Sequence, residues 1–386
     1  MDPAASTSTV PDRASSPRRS GQVLGQGSYG QVVERNGYAV KRFDKISYVI
    51  QEFMALSYIA DCPHILHCAK VDFARQELHL DLWEGSLRAW LETHPPYPNS
   101  PTYAAANGLR QQTLYMFARD TILGLIELHD RGLAHGDLKP SNILVQTQPS
   151  VKAVLGDCGF VSIAKYTKVD RTASAYRDPL IVRDTAHDLF SLGVCLIEML
   201  GGARSTRSFA PSDTSSAAVS YAEAQRLAQS VPHPQMRGLV MRLLSEDRSV
   251  RPTARMVLRE LFGEEAHPYV LPSIVARSSL NVQVEKKRPV RVFIKRMKSD
   301  WKIRRTKRGY AVLCAYFARH KLDERAQLLY AGAMLVILSS LFGESGFRLR
   351  QAADTLGVEI EELYGPLTNL ISEREWCVNI LLLPSF

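Results

Sequence analysis

The eight residues from His135 to Asn142 constrain this chain more than any other segment does. Their sequence, HGDLKPSN, puts a carboxylate at Asp137, an ammonium at Lys139 and a carboxamide at Asn142 on one short loop. Such a set can orient a hydroxyl group, neutralise a phosphoryl group during its transfer and hold a metal ion. A polar turn that ends at Pro140 is the simpler interpretation of the octet alone. The motifs that precede and follow the octet decide between a phosphoryl-transfer loop and a polar turn.

A glycine-rich segment lies well upstream of this loop. Gly25, Gly27, Gly30 and Val32 form the pattern G-x-G-x-x-G-x-V. Because glycine has no side chain, backbone N–H groups in such a segment can approach phosphate oxygens closely. The pattern alone more often marks only a turn, so its weight depends on the residues downstream of it.

A lysine comes after the glycines at a position typical of phosphate binding. Lys41 lies in the apolar run Tyr38–Phe43, and Asn36–Gly37 just before the run is a strong hairpin signal. We therefore expect Lys41 on a third strand, where it contacts the alpha and beta phosphates and pairs with a carboxylate on the next helix. Glu52 is the first candidate for that carboxylate and Asp44 the second. An ordinary exposed acid at position 52 is the alternative.

An Asp-x-Gly triplet lies downstream of the octet. Residues 154–160 predict a buried strand that ends at Asp157, whose carboxylate would hold a hard cation bridging nucleotide phosphates. Asn142 would be the second ligand of that cation. Such triplets are common by chance, and this one gains weight because it lies twenty residues after Asp137 and comes after a strand. The predicted cofactors are ATP and Mg²⁺.

Taken in order, these motifs resemble those of the eukaryotic-type protein kinases over roughly residues 20–262. Three further segments are similar to motifs of that family: Tyr176–Leu180 to Y-R-A-P-E, Asp188–Gly193 to D-x-W-S-x-G, and Arg251–Pro252 near the end of the domain. The resemblance implies an α+β, two-lobed protein-kinase fold with a small β-rich N-lobe and a larger helical C-lobe. It also implies a serine/threonine protein kinase that transfers the γ-phosphate of Mg-ATP to protein hydroxyls.

The same resemblance assigns roles to individual residues. Asp137 would receive the hydroxyl proton and Lys139 would stabilise the moving group, while His135 would bond nearby backbone rather than act as a base. The segment 80–84 resembles the hinge that binds the adenine edge. Leu82 of that segment is expected to bind the nucleotide, and four apolar residues are expected to sandwich the adenine faces: Leu24, Val32, Ala39 and Leu144.

Two departures from the family pattern alter the expected regulation. Gly136 stands where the family has the Arg that reads a phosphate on the activation segment, so control by phosphorylation of that segment is not expected. Cys158 replaces the Phe that packs against the helix bearing Glu52. Thr172, Ser174 and Tyr176 on that segment are candidates either for phosphorylation or for a peptide-binding ledge.

A third departure concerns an ion pair. Leu180 replaces the family's glutamate, so the expected partner of Arg251 becomes Asp178 or Asp184. With the short Lys-to-Glu interval and the long C-terminal tail, these substitutions resemble the conserved herpesvirus protein kinases, and the octet suggests the alphaherpesvirus branch. That resemblance implies a kinase of the virion tegument that acts on viral and host proteins in the host nucleus.

Composition adds broader expectations. With 386 residues, 45% of them apolar, the chain can bury a core as one large or two modest domains, and its net charge of +9 favours acidic partners. Six cysteines without a C-x-x-C pair predict a reducing, intracellular compartment. The first twenty residues lack the apolar core of a secretory signal. The apolar stretch 326–342 is too short to span a bilayer, so we expect a buried helix and no stable membrane insertion.

The chain divides into four predicted segments: a disordered tail at 1–20, an N-lobe at 21–82, a C-lobe at 83–262 and a basic, helical C-terminal extension at 263–386. In the extension, residues 286–308 hold twelve Lys or Arg and one acid, with apolar residues between them. Nuclear import or nucleic-acid contact is one interpretation. An amphipathic face packed beneath the large lobe is the other.

Three alternative functions remain open at this point. Residues 350–358 resemble the first half of a helix-turn-helix, but Glu359, Glu361 and Glu362 stand where a recognition helix would begin and would oppose phosphate binding. Nucleic acid is therefore the less favoured partner. A catalytically weak kinase-fold scaffold has no physical need for the retained lysines and carboxylates. A kinase of small hydroxyl compounds such as nucleosides is the third alternative.

Overall fold

The computed structural model describes residues 21–27, 30–96, 101, 104–160, 162–163, 167–168, 176–180, 182–200, 220–267, 288–301, 306–342 and 349–372. These residues form a small sheet-rich lobe, a larger helical lobe and a further group of helices, so the predicted two-lobed α+β fold is confirmed. The predicted tail at 1–20 lies outside the described residues. The boundaries between the four predicted segments stay predictions.

The small lobe is built on one antiparallel sheet with the strand order β1-β2-β3-β5-β4. Its strands are β1 (Val23–Gly27), β2 (Gly30–Arg35), β3 (Tyr38–Phe43), β4 (Cys68–Asp72) and β5 (Glu77–Asp81). The predicted turn between β2 and β3 forms, with positive φ of 53° at Asn36 and 79° at Gly37. Two successive left-handed residues match the right-handed twist of the flanking strands. Helix α1 (Ile46–Tyr58) connects β3 to β4.

Gly30 has a steric role that the sequence pattern does not reveal. It pairs with Phe43 across the sheet at a φ of +153°, and a Cβ built on it would lie 1.7 Å from the carbonyl oxygen of Arg42. A Cβ on Gly25 would meet none of the described residues within 4 Å. The two glycines therefore differ, because only Gly30 is needed for the close approach of β2 to β3.

The large lobe is mostly helical. Its helices are α2 (Leu87–Thr93), α3 (Ala104–Asp130), α4 (Thr185–Leu200), α5 (Tyr221–Ala228), α6 (Pro234–Leu243) and α7 (Ala254–Phe262). Its short strands are β6 (Gly85–Ser86), β7 (Leu133–Ala134), β8 (Ile143–Gln146), β9 (Lys152–Leu155), β10 (Ser162–Ile163), β11 (Thr167–Lys168) and β12 (Val182–Arg183). Helix α3 is central and contacts α4, α7 and β9. Residues 82–84 connect the lobes between β5 and β6, where the hinge was predicted.

A buried ion pair fixes the end of the large lobe. Arg251 Nη1 lies 2.5 Å from Asp178 Oδ2, and both side chains are fully buried. Asp184, the other predicted partner, pairs with Arg248 instead. Burial by itself opposes ionisation of Asp178, but hydrogen bonds from Arg251 and Tyr221 hold the pKa of its carboxyl below the ordinary value.

The C-terminal extension is organised around one buried helix. Its helices are α8 (Arg288–Trp301), α9 (Thr306–His320), α10 (Glu324–Phe342), α11 (Leu349–Leu356) and α12 (Tyr364–Ser372). Helix α10 contains the stretch predicted to be a buried helix, and residues 333–338 are all buried. None of the helices that the structure describes combines the length and apolar character needed to cross a membrane.

Helix α8 carries part of the basic segment. Val290, Ile294 and Met297 are buried at helical spacing, while Arg291 and Lys295 on the same helix are exposed. The described residues thus form a packed amphipathic helix whose outer face is basic.

The buried ion pair leads to a stability prediction. The substitution Arg251→Met removes the closer of the two arginines at the buried carboxylate of Asp178 and leaves Arg248 Nε at 3.3 Å. Removing one partner of a buried ion pair typically costs about 3–5 kcal/mol of unfolding free energy, and the remaining contact places this substitution at the lower end of that range. Denaturant titration at pH 7 measures this loss. The matched control Arg242→Met removes an exposed partner of Glu260 and should change stability by less than about 1 kcal/mol.

The difference between wild type and Arg251→Met also depends on pH. Because the folded pKa of Asp178 is lowered, the pair stabilises the fold fully above the unfolded pKa of roughly 4. That contribution is lost as the pH falls through the lowered value. A difference that stays constant down to pH 2 would contradict the assignment.

Candidate active site

The hairpin of β8 and β9 brings the two predicted cation ligands to the same end of the large lobe. Ile143 pairs with Leu155, and the backbone N–H of Gly156 donates to the carbonyl oxygen of Asn142 at 2.8 Å. Asn142 precedes one strand and Asp157 comes after the other. An antiparallel register therefore holds the octet loop beside the Asp-x-Gly turn.

Lys41 joins the small lobe to this region. Its Nζ lies 2.9 and 2.7 Å from the two carboxylate oxygens of Glu52, and 2.7 Å from Asp157 Oδ1. Of the two predicted partners, Glu52 on α1 makes the ion pair, whereas Asp44 is exposed. The side chain of Glu52 is only 3% exposed, which excludes the alternative of an ordinary surface acid.

Burial and charge act in opposite directions on these groups. Burial disfavours the ammonium form of Lys41, but the carboxylates of Glu52 and Asp157 outweigh burial and raise its pKa. Burial raises the pKa of Glu52, and Lys41 opposes that rise. Burial also opposes ionisation of Asp157, yet the positive charge of Lys41 holds its pKa below the ordinary value. Asp157 is thus a carboxylate at neutral pH, as a cation ligand must be.

The octet loop forms a second polar cluster. Asp137 Oδ2 accepts a hydrogen bond from Asn142 Nδ2 at 3.0 Å and lies 3.0 Å from Lys139 Nζ. Asn142 Nδ2 also donates to the backbone oxygen of Asp137 at 2.8 Å. Asp137 and Asn142 are buried, whereas the side chain of Lys139 is 25% exposed. The loop therefore holds one carboxylate in a defined orientation beside a partly exposed cation.

Asp188 on α4 supports this loop from within the large lobe. Its fully buried carboxylate accepts from the backbone N–H of His135 at 2.7 Å and of Gly136 at 2.9 Å, and it lies 3.0 Å from His129 Nε2. Burial opposes ionisation of Asp188, but the contact with His129 holds its pKa low. Gly136 has a φ of +77°, a left-handed conformation that favours glycine.

His135 bonds the backbone, as the sequence indicated. Its Nε2 lies 2.9 Å from the carbonyl oxygen of Gly156, and its Nδ1 lies 3.3 Å from the backbone nitrogen of Asp137. Nδ1 must be the acceptor in the second contact, so the proton belongs on Nε2. Both ring nitrogens are then engaged by the protein.

Apolar residues around the hinge are incompletely covered. Their neighbours Val40, Leu80 and Ile143 are buried. Half-buried are the hinge residue Leu82 and the four apolar residues predicted to sandwich an adenine: Leu24, Val32, Ala39 and Leu144. Partly covered apolar surface at the junction of two lobes suits the faces of a planar ring. At the tip of the β1–β2 hairpin, Gly27 pairs with Gly30.

The donor set fits a hard cation only with help from a ligand. Within the described ranges, no group of three or more His, Cys, Asp or Glu side chains is arranged to hold a metal ion. The two protein donors predicted from the sequence are the carboxylate of Asp157 and the carboxamide oxygen of Asn142. Oxygen donors of this kind suit Mg²⁺, which usually keeps waters and takes ligand phosphate oxygens as further ligands. The residues therefore fit a magnesium ion that arrives with a nucleotide.

A cluster that the sequence analysis missed anchors the end of the activation segment. The hydroxyl of Tyr176 donates to Glu198, whose Oε2 lies 2.9 Å from Arg88 Nη2. Tyr176 is buried, which favours a structural role for it over phosphorylation. Thr172 and Ser174 lie outside the described residues. No sequence motif predicts the pairing of Arg88 on α2 with Glu198 on α4, because the two residues are far apart in sequence and meet only in the folded chain.

The role of Asp188 can be tested through stability. The substitution Asp188→Asn replaces a charged acceptor of backbone N–H groups by a neutral amide, and charge-assisted hydrogen bonds contribute roughly 1.5–3 kcal/mol each. We expect a loss of about 2–4 kcal/mol of unfolding free energy in a denaturant titration. Asp354→Asn, at an exposed position of α11, is the control. Equal stability of the two variants would show that Asp188 does not hold the loop.

Comparisons with known proteins agree with this geometry. Residues 18–262 match the family model described as "Protein kinase domain". The serine/threonine-protein kinase/endoribonuclease IRE1 of Oryza sativa subsp. japonica is 30% identical over 206 residues, which cover 45% of this chain and 22% of that protein. Mitogen-activated protein kinase kinase kinase 20 of Arabidopsis thaliana is 28% identical over 164 residues, covering 39% and 46% respectively.

A third relative is the serine/threonine-protein kinase SBK1 of Danio rerio, 26% identical over 213 residues that cover 50% of this chain and 53% of the relative. The matched region thus spans from about a fifth to about half of the length of these relatives. The family model, in contrast, matches more than half of this chain. The chain therefore belongs to the protein kinase domain family.

Proposed function

We propose that this chain is a serine/threonine protein kinase that transfers the γ-phosphate of Mg-ATP to hydroxyls of protein substrates. The observation that carries the proposal is the contact of Lys41 with both Glu52 and Asp157, beside the cluster of Asp137 and Asn142. The relatives' names, which specify serine/threonine kinases, support the class of acceptor residue.

The nucleotide is held mainly by charge and by shape. Lys41 contacts the alpha and beta phosphates, while Glu52 keeps its ammonium in place. Asp157 and Asn142 hold the magnesium ion, which when bound neutralises phosphate oxygens. The half-buried apolar residues near the hinge cover the adenine faces. The glycine-rich hairpin covers the phosphates with backbone N–H groups.

The acceptor hydroxyl is oriented by Asp137. Its oxygen attacks the γ-phosphorus, the bond from that phosphorus to the bridging oxygen of ADP breaks, and the hydroxyl proton passes to the Asp137 carboxylate. Asn142 fixes that carboxylate through its amide, and Lys139 stabilises charge on the phosphoryl group as it moves. Positioning and charge neutralisation thus supply most of the catalysis.

A catalytically weak scaffold and a nucleoside kinase are the competing proposals. Against the scaffold stands the cost of burying Lys41 and Glu52 beside Asp157, because a core without a ligand to bind would be as stable with apolar residues there. Nucleosides and peptides differ in size. Parallel assays with a nucleoside and with a Ser/Thr peptide library distinguish those substrates.

We further propose that the chain belongs with the conserved herpesvirus protein kinases, in the alphaherpesvirus branch. Support comes from Gly136, Cys158 and the short interval between Lys41 and Glu52. The proposed sites of action are the host nucleus and the virion tegument, on viral and host proteins. Nuclear accumulation of the tagged full chain in host cells is the expected result, and its exclusion from nuclei would contradict this placement.

Phosphate transfer tests the main proposal. Purified chain with labelled ATP, Mg²⁺ and a Ser/Thr peptide library should incorporate label. We expect Lys41→Met and Asp157→Asn each to lower the rate by at least about 100-fold, since each removes charge stabilisation at the phosphates. Lys70→Met, the same change at an exposed site on β4, is the control and should match wild type. Equal incorporation by wild type and Lys41→Met would refute the assignment.

A further inference from the structure

Helix α1, which carries Glu52, is covered on every side. The five successive residues Glu52–Leu56 are all buried. Each residue of an α-helix is rotated by about 100° from the one before, so five in a row point in all directions. A helix that lies on a single sheet buries only one stripe. Something other than the small lobe's sheet must therefore cover the outer side of α1.

The C-terminal extension provides that cover. Helices α10 and α12 both contact α1. Gln51, directly before Glu52, donates from its Nε2 to the carbonyl oxygen of Ser340 near the end of α10, at 2.5 Å. On α12, Leu367, Leu370 and Ile371 are buried. The residue that pairs with Lys41 is thus adjacent in sequence to one that bonds the extension.

An aromatic row makes a second connection. The rings of Phe53 on α1 and Phe73 in the β4–β5 turn meet edge to face, with centroids 6.2 Å apart. Phe73 in turn stacks on Tyr364 at the start of α12, again with 6.2 Å between centroids. Offset and edge-to-face pairs of this kind add to the gain from burial. Tyr364 therefore reaches α1 through one intermediate ring.

Local interactions at its start hold α1 only weakly. The N-cap residue is Lys45, which makes no side-chain capping bond, and the first turn contains no acidic residue. A helix of 13 residues without such caps depends on tertiary packing for its stability. The position of Glu52 then depends on the elements that pack against α1.

We propose that α10 and α12 act as a built-in clamp on α1, with Gln51 and Tyr364 as positioning residues that hold Glu52 within reach of Lys41. The inference rests on the proposed phosphotransfer and names how that site is kept in its competent arrangement. Loosening the clamp lets α1 move away, so that Lys41 loses one of its two carboxylates. The contact with the phosphates weakens as a result.

The test is a double-mutant cycle in the full-length chain. Gln51→Ala removes the bond to Ser340 while keeping a strong helix former, and Tyr364→Ala removes the stacked ring. Each should lower kcat/KM for ATP by roughly 3- to 10-fold, the effect of losing one net hydrogen bond or ring contact on a two-state equilibrium. In a Glu52→Gln background, the same substitutions should change kcat/KM by less than about twofold, because the interaction they support is already lost. If the variants in the Glu52→Gln background are too slow to assay, the same double-mutant cycle can be measured through the Kd for Mg-ATP.

A matched control separates the clamp from general damage to the extension. Arg325→Ala removes an exposed ion pair with Glu362 inside the extension, at the opposite end of α10 from Ser340, and should leave kcat/KM unchanged. Thermal melting verifies that each variant is folded at the assay temperature. Equal effects of Gln51→Ala and Tyr364→Ala in both backgrounds would overturn the clamp and leave the proposed function intact. Absence of phosphate transfer by the wild-type chain would instead overturn the proposed function.

Discussion

The ammonium of Lys41, held between two carboxylates from distant parts of the chain, is the interaction on which the site depends. Glu52 comes from α1 in the small lobe, and Asp157 comes directly after β9 and Gly156 in the large lobe. Lys41 and Glu52 lose hydration on burial, and the ion pairs of Lys41 with Glu52 and with Asp157 offset that loss. Without Lys41 the two carboxylates would face each other without a cation, so the same electrostatics that prepares the phosphate site also couples the two lobes.

Two sets of contacts support the site around Lys41, one made by Asp188 in the large lobe and one made by the C-terminal extension. The carboxylate of Asp188 binds the backbone of His135 and Gly136, which fixes the octet loop from the large lobe. The extension covers α1 and reaches it through Gln51. The proposed clamp on α1 involves no residue of the activation segment and is carried by the same chain.

Much of the site can be predicted from sequence because its parts are local. The Asn36–Gly37 turn, the strand that bears Lys41 and the hairpin that joins Asn142 to Asp157 are each set by a few adjacent residues. Sequence spacing could not decide whether Asp178 or Asp184 pairs with Arg251. Both lie close in sequence to Leu180, which replaces the family's glutamate. The collision that a Cβ at Gly30 would cause can be recognised only when the relative positions of β2 and β3 are known. The packing of the extension on α1 was not predicted, although residues 53–56 are an uninterrupted apolar run, which indicates cover on more than one face of the helix.

The most direct test of this account is the structure of the full chain crystallised with Mg²⁺ and a non-hydrolysable ATP analogue. We predict that Lys41 Nζ lies within hydrogen-bonding distance of the alpha or beta phosphate and keeps its contact with Glu52. The Mg²⁺ should lie between the phosphates and the oxygens of Asp157 and Asn142. A nucleotide bound elsewhere, or bound here with Lys41 turned away from its phosphates, would contradict the account.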